Sequence, residues 1–148
     1  MATPTDFQTM STRVSQSSPA SKVLLAGSVF FVVVSFLSWQ KVCFADICGS
    51  ATAWNGVGIV ASLLAIAVLV LEALRLLGVQ PQLDAGLHAR IVAGLGIGVL
   101  VFTLIKILVD NEFRAYGSWV GLIAAAVVAV GAVMALAEAN AATSRERR

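Results

Sequence analysis

The chain has 148 residues, of which 59% are hydrophobic and only 12% charged; mean hydropathy is +0.92 and formal net charge +2. A soluble globular chain carries about 25% charge, so composition excludes an ordinary wet surface and makes lipid the expected solvent. The small net charge, without a basic run interleaved with aromatics, speaks against nucleic acid as a partner. One histidine, two cysteines and few carboxylates leave little material for a catalytic or metal site, so neither a cofactor nor a metal is expected.

Residues 1–21 are rich in Ser, Thr, Gln and Pro without apolar periodicity, which predicts a flexible tail. A first apolar span is expected over about 23–39, opened by Lys22 and closed by Trp39; at 1.5 Å per residue it reaches about 25 Å, short for a hydrocarbon core of about 30 Å. A cleaved signal peptide is the rival reading. Its small-x-small site, Ala51-Thr52-Ala53, lies too far beyond the apolar run, and further hydrophobic segments follow, so a retained helix is expected. The stretch Trp39–Gly56 holds both cysteines and two of the three tryptophans and is read as a loop. A second span runs over about 57–77, between Asn55-Gly56 and Gly78. The polar connector 78–90, with Pro81, Asp84, Gly86 and His88, leads to a third span over about 91–109. A tight turn at 110–114 precedes a fourth over about 116–137, and 139–148 is a basic tail. The membrane domain is therefore 22–138: an all-α, four-helix transmembrane bundle, up-down-up-down.

Lys and Arg placement gives the orientation. Arg13, Lys22, Arg75, Arg90, Arg145, Arg147 and Arg148 fall on one side, against Lys41 and Arg114 on the other, so both termini are expected in the cytoplasm of a plasma-membrane protein. Trp39, Trp54, Tyr116 and Trp119 all fall at the opposite ends, as interface anchors in an aromatic belt. The Cys43/Cys48 loop then faces outside, where disulfides persist. Four residues between the cysteines, rather than two, favour a structural clip over a thiol redox centre.

Among the charges, Lys106 and Asp110 share a face at i, i+4, and Glu72 with Arg75 forms a second pair near a helix end. Both are candidate membrane-embedded charge sites; snorkelling and interfacial pairing account for them without an ion pathway, and Lys106→Ala is expected to leave accumulation nearly intact. His88 stands alone in its connector, which argues against a metal. Gly94 with Gly98, and Gly117 with Gly121, have the small-residue spacing that lets helices approach closely, here helices three and four or two copies of the chain. The run Gly94-Leu-Gly96-Ile-Gly98 lacks the preceding strand of a dinucleotide loop.

The Leu37-Ser38-Trp39 ending of helix one, the Cys-containing loop closing on Ala53-Trp54-Asn55-Gly56, and the Tyr116-Gly117-Ser118-Trp119-Val120-Gly121-Leu122 opening of helix four resemble uncharacterised small four-helix integral membrane proteins of actinobacteria. The likeness covers about residues 22–138. It implies the four-span fold and no reaction or catalytic residue. The expected function is non-enzymatic: a membrane scaffold or accessory subunit acting through a protein partner or homo-oligomer. A small oligomeric transporter or channel is the alternative, and a membrane thiol redox protein using Cys43 and Cys48 is the second.

Overall fold

The computed structural model describes Gln8 and residues 11–12, 15–44, 47–79, 84–109 and 115–147. Four long helices, α1 (Pro19–Ser35), α2 (Gly58–Leu77), α3 (Ala85–Val109) and α4 (Tyr116–Glu146), enclose one core. A two-stranded hairpin, β1 (Ser38–Phe44) and β2 (Ile47–Thr52), is inserted between α1 and α2. Three helices, α2, α3 and α4, are long and apolar enough to cross a membrane; α1 is apolar but shorter, at 17 residues. The fold is therefore mostly helical rather than all-α.

Local chemistry explains where each helix starts and stops. Ser18 accepts from the Ser21 amide and Pro19 opens the first turn, a conventional cap and N1 residue. The expected tail 1–21 thus overruns the helix, and Ser21 is buried within it. The first apolar span sits one turn earlier than 23–39, because the chain turns at Phe36 and Leu37 and enters β1. Gly56 (φ 64°) turns the chain into α2, and Gly78 (φ 73°) ends it. The Gly78 and Val79 amides donate back to Arg75 and Leu74, a left-handed stop that glycine adopts without steric cost.

Helices α3 and α4 are both longer than their apolar cores. The structure starts α3 at Ala85, so the second half of the connector 78–90 is helical and carries His88 into the bundle. Residues 80–83 and 110–114 lie outside the described residues, and with them Pro81 and the expected turn. Most of the expected basic tail is helical, as α4 continues to Glu146.

Packing makes a ring: α1 meets α2 and α4, and α3 meets α2 and α4, with α3–α4 the most extensive helix seam. Small residues fill the interior, including Ala20, Ala61, Ala65, Ala124, Ala125 and Ala132, all at most 1% exposed. Large apolar side chains such as Phe30, Val33, Leu63, Ile97, Ile123 and Val130 point outward. That distribution suits helices in lipid, where apolar burial between them gives no advantage over acyl chains and close backbone approach does.

The glycine spacing is only partly the one that packs. Gly94 is exposed, and a Cβ there meets nothing within 4 Å. The α3–α4 seam instead uses Gly96, where a Cβ would overlap that of Ala132 and lie 3.4 Å from the Val128 carbonyl. Gly98 faces Leu64 of α2, its Cβ position 3.0 Å from Cδ1. We expect Gly96→Leu to cost about 1–3 kcal/mol through overpacking and Gly94→Leu to be nearly neutral. Thermal unfolding of the two purified variants separates them.

Candidate functional site

The stretch between α1 and α2 is a hairpin built around a bulge. Ser38 pairs with Thr52 and Gln40 with Ala51, so Trp39 is the extra residue of β1. A bulge re-aims its side chain, and here the Trp39 ring enters the bundle, at 1% exposure. Its Nε1 donates to the Val34 carbonyl at 2.9 Å, and the ring stands edge-on to Phe31 at 6.1 Å. Gly121 and Gly117 make room for this segment, not for another helix: Cβ atoms there would overlap the Trp39 ring and the Ser38 carbonyl. The Trp39 carbonyl accepts from the Ala115 amide and the Ser118 hydroxyl, which stitches β1 to the start of α4.

Trp39 is therefore a core residue, not an interface anchor. The other three predicted anchors differ among themselves. Trp54 is half-buried, stacked near Phe36 at 5.4 Å and donating to Ser35 Oγ at 3.0 Å. Tyr116 and Trp119 point outward, 81% and 53% exposed. At the far end of the hairpin, Cys43 and Cys48 face each other across the strands and form a disulfide, S–S 2.07 Å. Closing so short a loop is worth about 2 kcal/mol in the chain-entropy picture. Replacing both cysteines by Ser is thus expected to cost no more than that on thermal unfolding, because the base is held independently through Trp39.

Lys106 is 4% exposed, and its Nζ donates to the Asn55 carbonyl at 2.8 Å. Its stem crosses Gly58, where a Cβ would overlap Lys106 Cδ and the Ala53 carbonyl. The expected Lys106–Asp110 pairing falls on a residue outside the described ones. What the structure adds is that Lys106 ties α3 to the turn between the hairpin and α2.

The other charge site is more extensive than a Glu72–Arg75 pair. Glu72 is fully buried. Its Oε2 accepts from Ser21 Oγ of α1 at 3.1 Å, and its Oε1 lies 3.3 Å from His88 Nε2 of α3. Arg75 Nη1, on an exposed side chain, is 3.9 Å from Oε1 and 3.5 Å from Ser21 Oγ. Three helices thus converge on one carboxylate. Beside it opens a recess of about 340 Å³ lined by Gln16, Ser17, Ser18, Ser21, Arg75 and Leu76.

Sequence reasoning missed His88 and Ser21. A usable signal was present: Ala85–Val109 contains no proline, so His88 can sit in the first turn of a continuous helix, on the buried face it shares with Ala89 and Val92. Ser21 follows a Ser-Pro cap and so belongs to a helix rather than to a tail.

Between the two polar ends the interior is mostly apolar. Leu24, Val68, Val92, Val99 and Val128 are all 0% exposed, and they lie along the helices between the Glu72 cluster and Lys106. Ser62 Oγ donates to the Gly58 carbonyl, whereas the buried Ser28 and Thr103 hydroxyls have no hydrogen-bond partner among the described residues. Among the described residues no group of three His, Cys, Asp or Glu side chains could hold a metal. The fold and site define a helical bundle of membrane type, with a hairpin at one end and a buried carboxylate cluster at the other. Comparison with protein-family models, curated proteins and solved structures finds no match to this chain.

Proposed function

We propose that this chain is a four-span plasma-membrane protein, up-down-up-down with both termini cytoplasmic, that works as a scaffold or accessory subunit and not as an enzyme. In this it is akin to the small four-helix membrane proteins of actinobacteria that it resembles. The observation that carries the reading is the apolar layer of Leu24, Val68, Val92, Val99 and Val128, which separates the Lys106 end from the Glu72 end with no buried ionisable side chain between them among the described residues, only the Ser28, Ser62 and Thr103 hydroxyls. Glu72 joins three helices through Ser21 and His88, Lys106 ties α3 to the turn before α2, and the large apolar side chains face outward. The orientation is supported by Ser21, Glu72 and His88 meeting, because this gathers the basic ends Lys22, Arg75 and Arg90 on one side. The hairpin tip, with exposed Lys41 and Ile47, is the surface offered to a protein partner.

Two measurements test this. Purified protein in liposomes loaded with a pH- or ion-sensitive dye should give no flux above empty liposomes; flux abolished by Glu72→Gln or Lys106→Ala would establish the transporter reading instead. In intact cells, a membrane-impermeant amine crosslinker should capture a discrete partner through Lys41, and loss of the adduct in Lys41→Gln is the control. Protection of Lys41 from an impermeant reagent would overturn the orientation.

A further inference from the structure

The α1–α2 seam is the least extensive of the four in the ring, and the recess beside Ser21 opens across it. Ser17, Ser18 and Ser21 line it from the α1 side, and Arg75 and Leu76 from α2. The end of α1 is already capped: Ser18 Oγ accepts from the Ser21 amide, and the Ser18 carbonyl from the Lys22 amide. What the recess offers is therefore side chains. Among the described residues the Arg75 guanidinium meets Ser21 and Glu72 through Nη1 alone, at 3.5 and 3.9 Å. That occupies only part of its fork of N–H donors, and the side chain is 42% exposed. Glu72, at 1%, is not part of the lining.

A second hollow continues from the first. An open apolar groove of about 470 Å³ follows the outer face of α1 from Lys22 through Leu25, Ala26, Val29 and Phe30 to Val33. Ser18, Ser21, Lys22 and Leu25 stand at i, i+3, i+4 and i+7, so recess and groove share one side of the helix. Ala26 makes the dent, flanked at helical spacing by Lys22, Val29 and Phe30. From Lys22 to Val33 the helix rises about 16 Å, close to one leaflet of a hydrocarbon core of about 30 Å. A cationic, hydroxyl-bearing recess at the head of an apolar groove one leaflet long has the polarity of a phospholipid.

We propose that recess and groove together bind one anionic phospholipid, which bridges α1 and α2. Arg75 takes the phosphate in a forked, charge-assisted contact, and the Ser18 hydroxyl, whose oxygen accepts from the Ser21 amide, donates its proton to it. Lys22, exposed and donating to the Ser15 carbonyl, adds a second positive charge where groove and recess meet. An acyl chain lies over Ala26, between Leu25 and Phe30. Basic pockets between membrane helices suit such headgroups, and here the lipid reinforces the thinnest seam of the ring. A free phosphate would meet the same donors and leave the groove unused. The proposal rests on the chain being a membrane protein; it requires neither the scaffold role nor the assigned orientation.

The test is thermal unfolding of the purified full chain in neutral detergent, titrated with phosphatidylglycerol, phosphatidylcholine or inorganic phosphate. Phosphatidylglycerol should raise the midpoint saturably by about 4 °C or more, and the other two should not at the same concentration. Arg75→Gln should move half-saturation to about tenfold more lipid, the loss expected for a contact to a charged group. Lys22→Gln should move it about fivefold, the effect of one cation near a charged surface. Ala26→Phe fills the groove without changing charge and should also weaken binding, whereas Arg147→Gln, an exposed cation outside the recess, should not. If Arg75→Gln does not accumulate, Lys22→Gln and Ala26→Phe decide. Equal stabilisation by both lipids, half-saturation unchanged in these variants, or the full effect from inorganic phosphate alone overturns the proposal. Retention in carbonate-washed membranes is scored first. A chain that washes out removes the membrane reading, while a retained chain with a flat titration removes the lipid site alone.

Discussion

Trp39→Ala is expected to lower stability by about 3–5 kcal/mol, the range for deleting a large buried aromatic, read as a fall in the thermal unfolding temperature of detergent-purified protein. The indole fills a notch formed by Phe31 and Gly121, and its Nε1 satisfies the Val34 carbonyl near the end of α1. Trp39→Phe should recover part of the packing while removing the indole bond to a carbonyl that the Leu37 amide still occupies, at a residual cost of about 1 kcal/mol. Gly121→Ala should be destabilising for the converse reason, since its Cβ overlaps the indole. The two substitutions therefore couple: in the Trp39→Ala background, Gly121→Ala should cost much less than alone. Such non-additivity is the mark of direct contact. An interfacial anchor lying in headgroups would show neither the large loss in detergent nor the coupling with Gly121.

The location of Trp39 also shows what the sequence could and could not convey. Apolar runs of helical length announce α2, α3 and α4, because the hydrocarbon thickness and the helix rise leave few alternatives. Gly56 and Gly78 mark both ends of α2 through backbone freedom alone. These signals are local. The hairpin is less legible, since a two-stranded ribbon is not stable in isolation; this one depends on Trp39, whose pocket is furnished by α1 and α4. The aromatic at the end of a span was read as an anchor because its burial is decided by a bulge and by glycines about 80 residues away in sequence.

The same limit applied to the polar residues. Glu72, Arg75 and Lys106 stand out by composition, being charges in apolar runs. Ser21 and His88 do not, and only the ring of helices brings them together. Glycine spacing selected Gly94 and missed Gly96, because i, i+4 spacing defines a face without saying which way that face points. In each case the residue type was visible and its partner was not.

Gly58→Ala is the second substitution with a large expected effect, and it separates the two functions of the Lys106 end. The added Cβ overlaps both the Ala53 carbonyl and Lys106 Cδ. The flexible lysine stem can shift, but the carbonyl belongs to backbone fixed by the Ala53 amide donating to the Ser35 carbonyl. We expect a loss of about 1–3 kcal/mol, typical of overpacking. Lys106→Met keeps most of the stem and removes the ammonium from the Asn55 carbonyl, so it should cost about 1.5–3 kcal/mol, the range for a hydrogen bond to a charged group. Lys106→Ala removes both stem and charge, and a measurable loss of stability is now expected of it, in contrast to the neutral effect anticipated from sequence. In the Lys106→Ala background the Gly58→Ala penalty should shrink but persist, because the clash with backbone remains. If it vanished, the Ala53 carbonyl would be free to move, and the turn into α2 would be held by Lys106 rather than by the hairpin base. Thermal unfolding of the four proteins in one detergent decides between these outcomes, and a penalty unchanged by Lys106→Ala would show that the stem does not cross Gly58 at all.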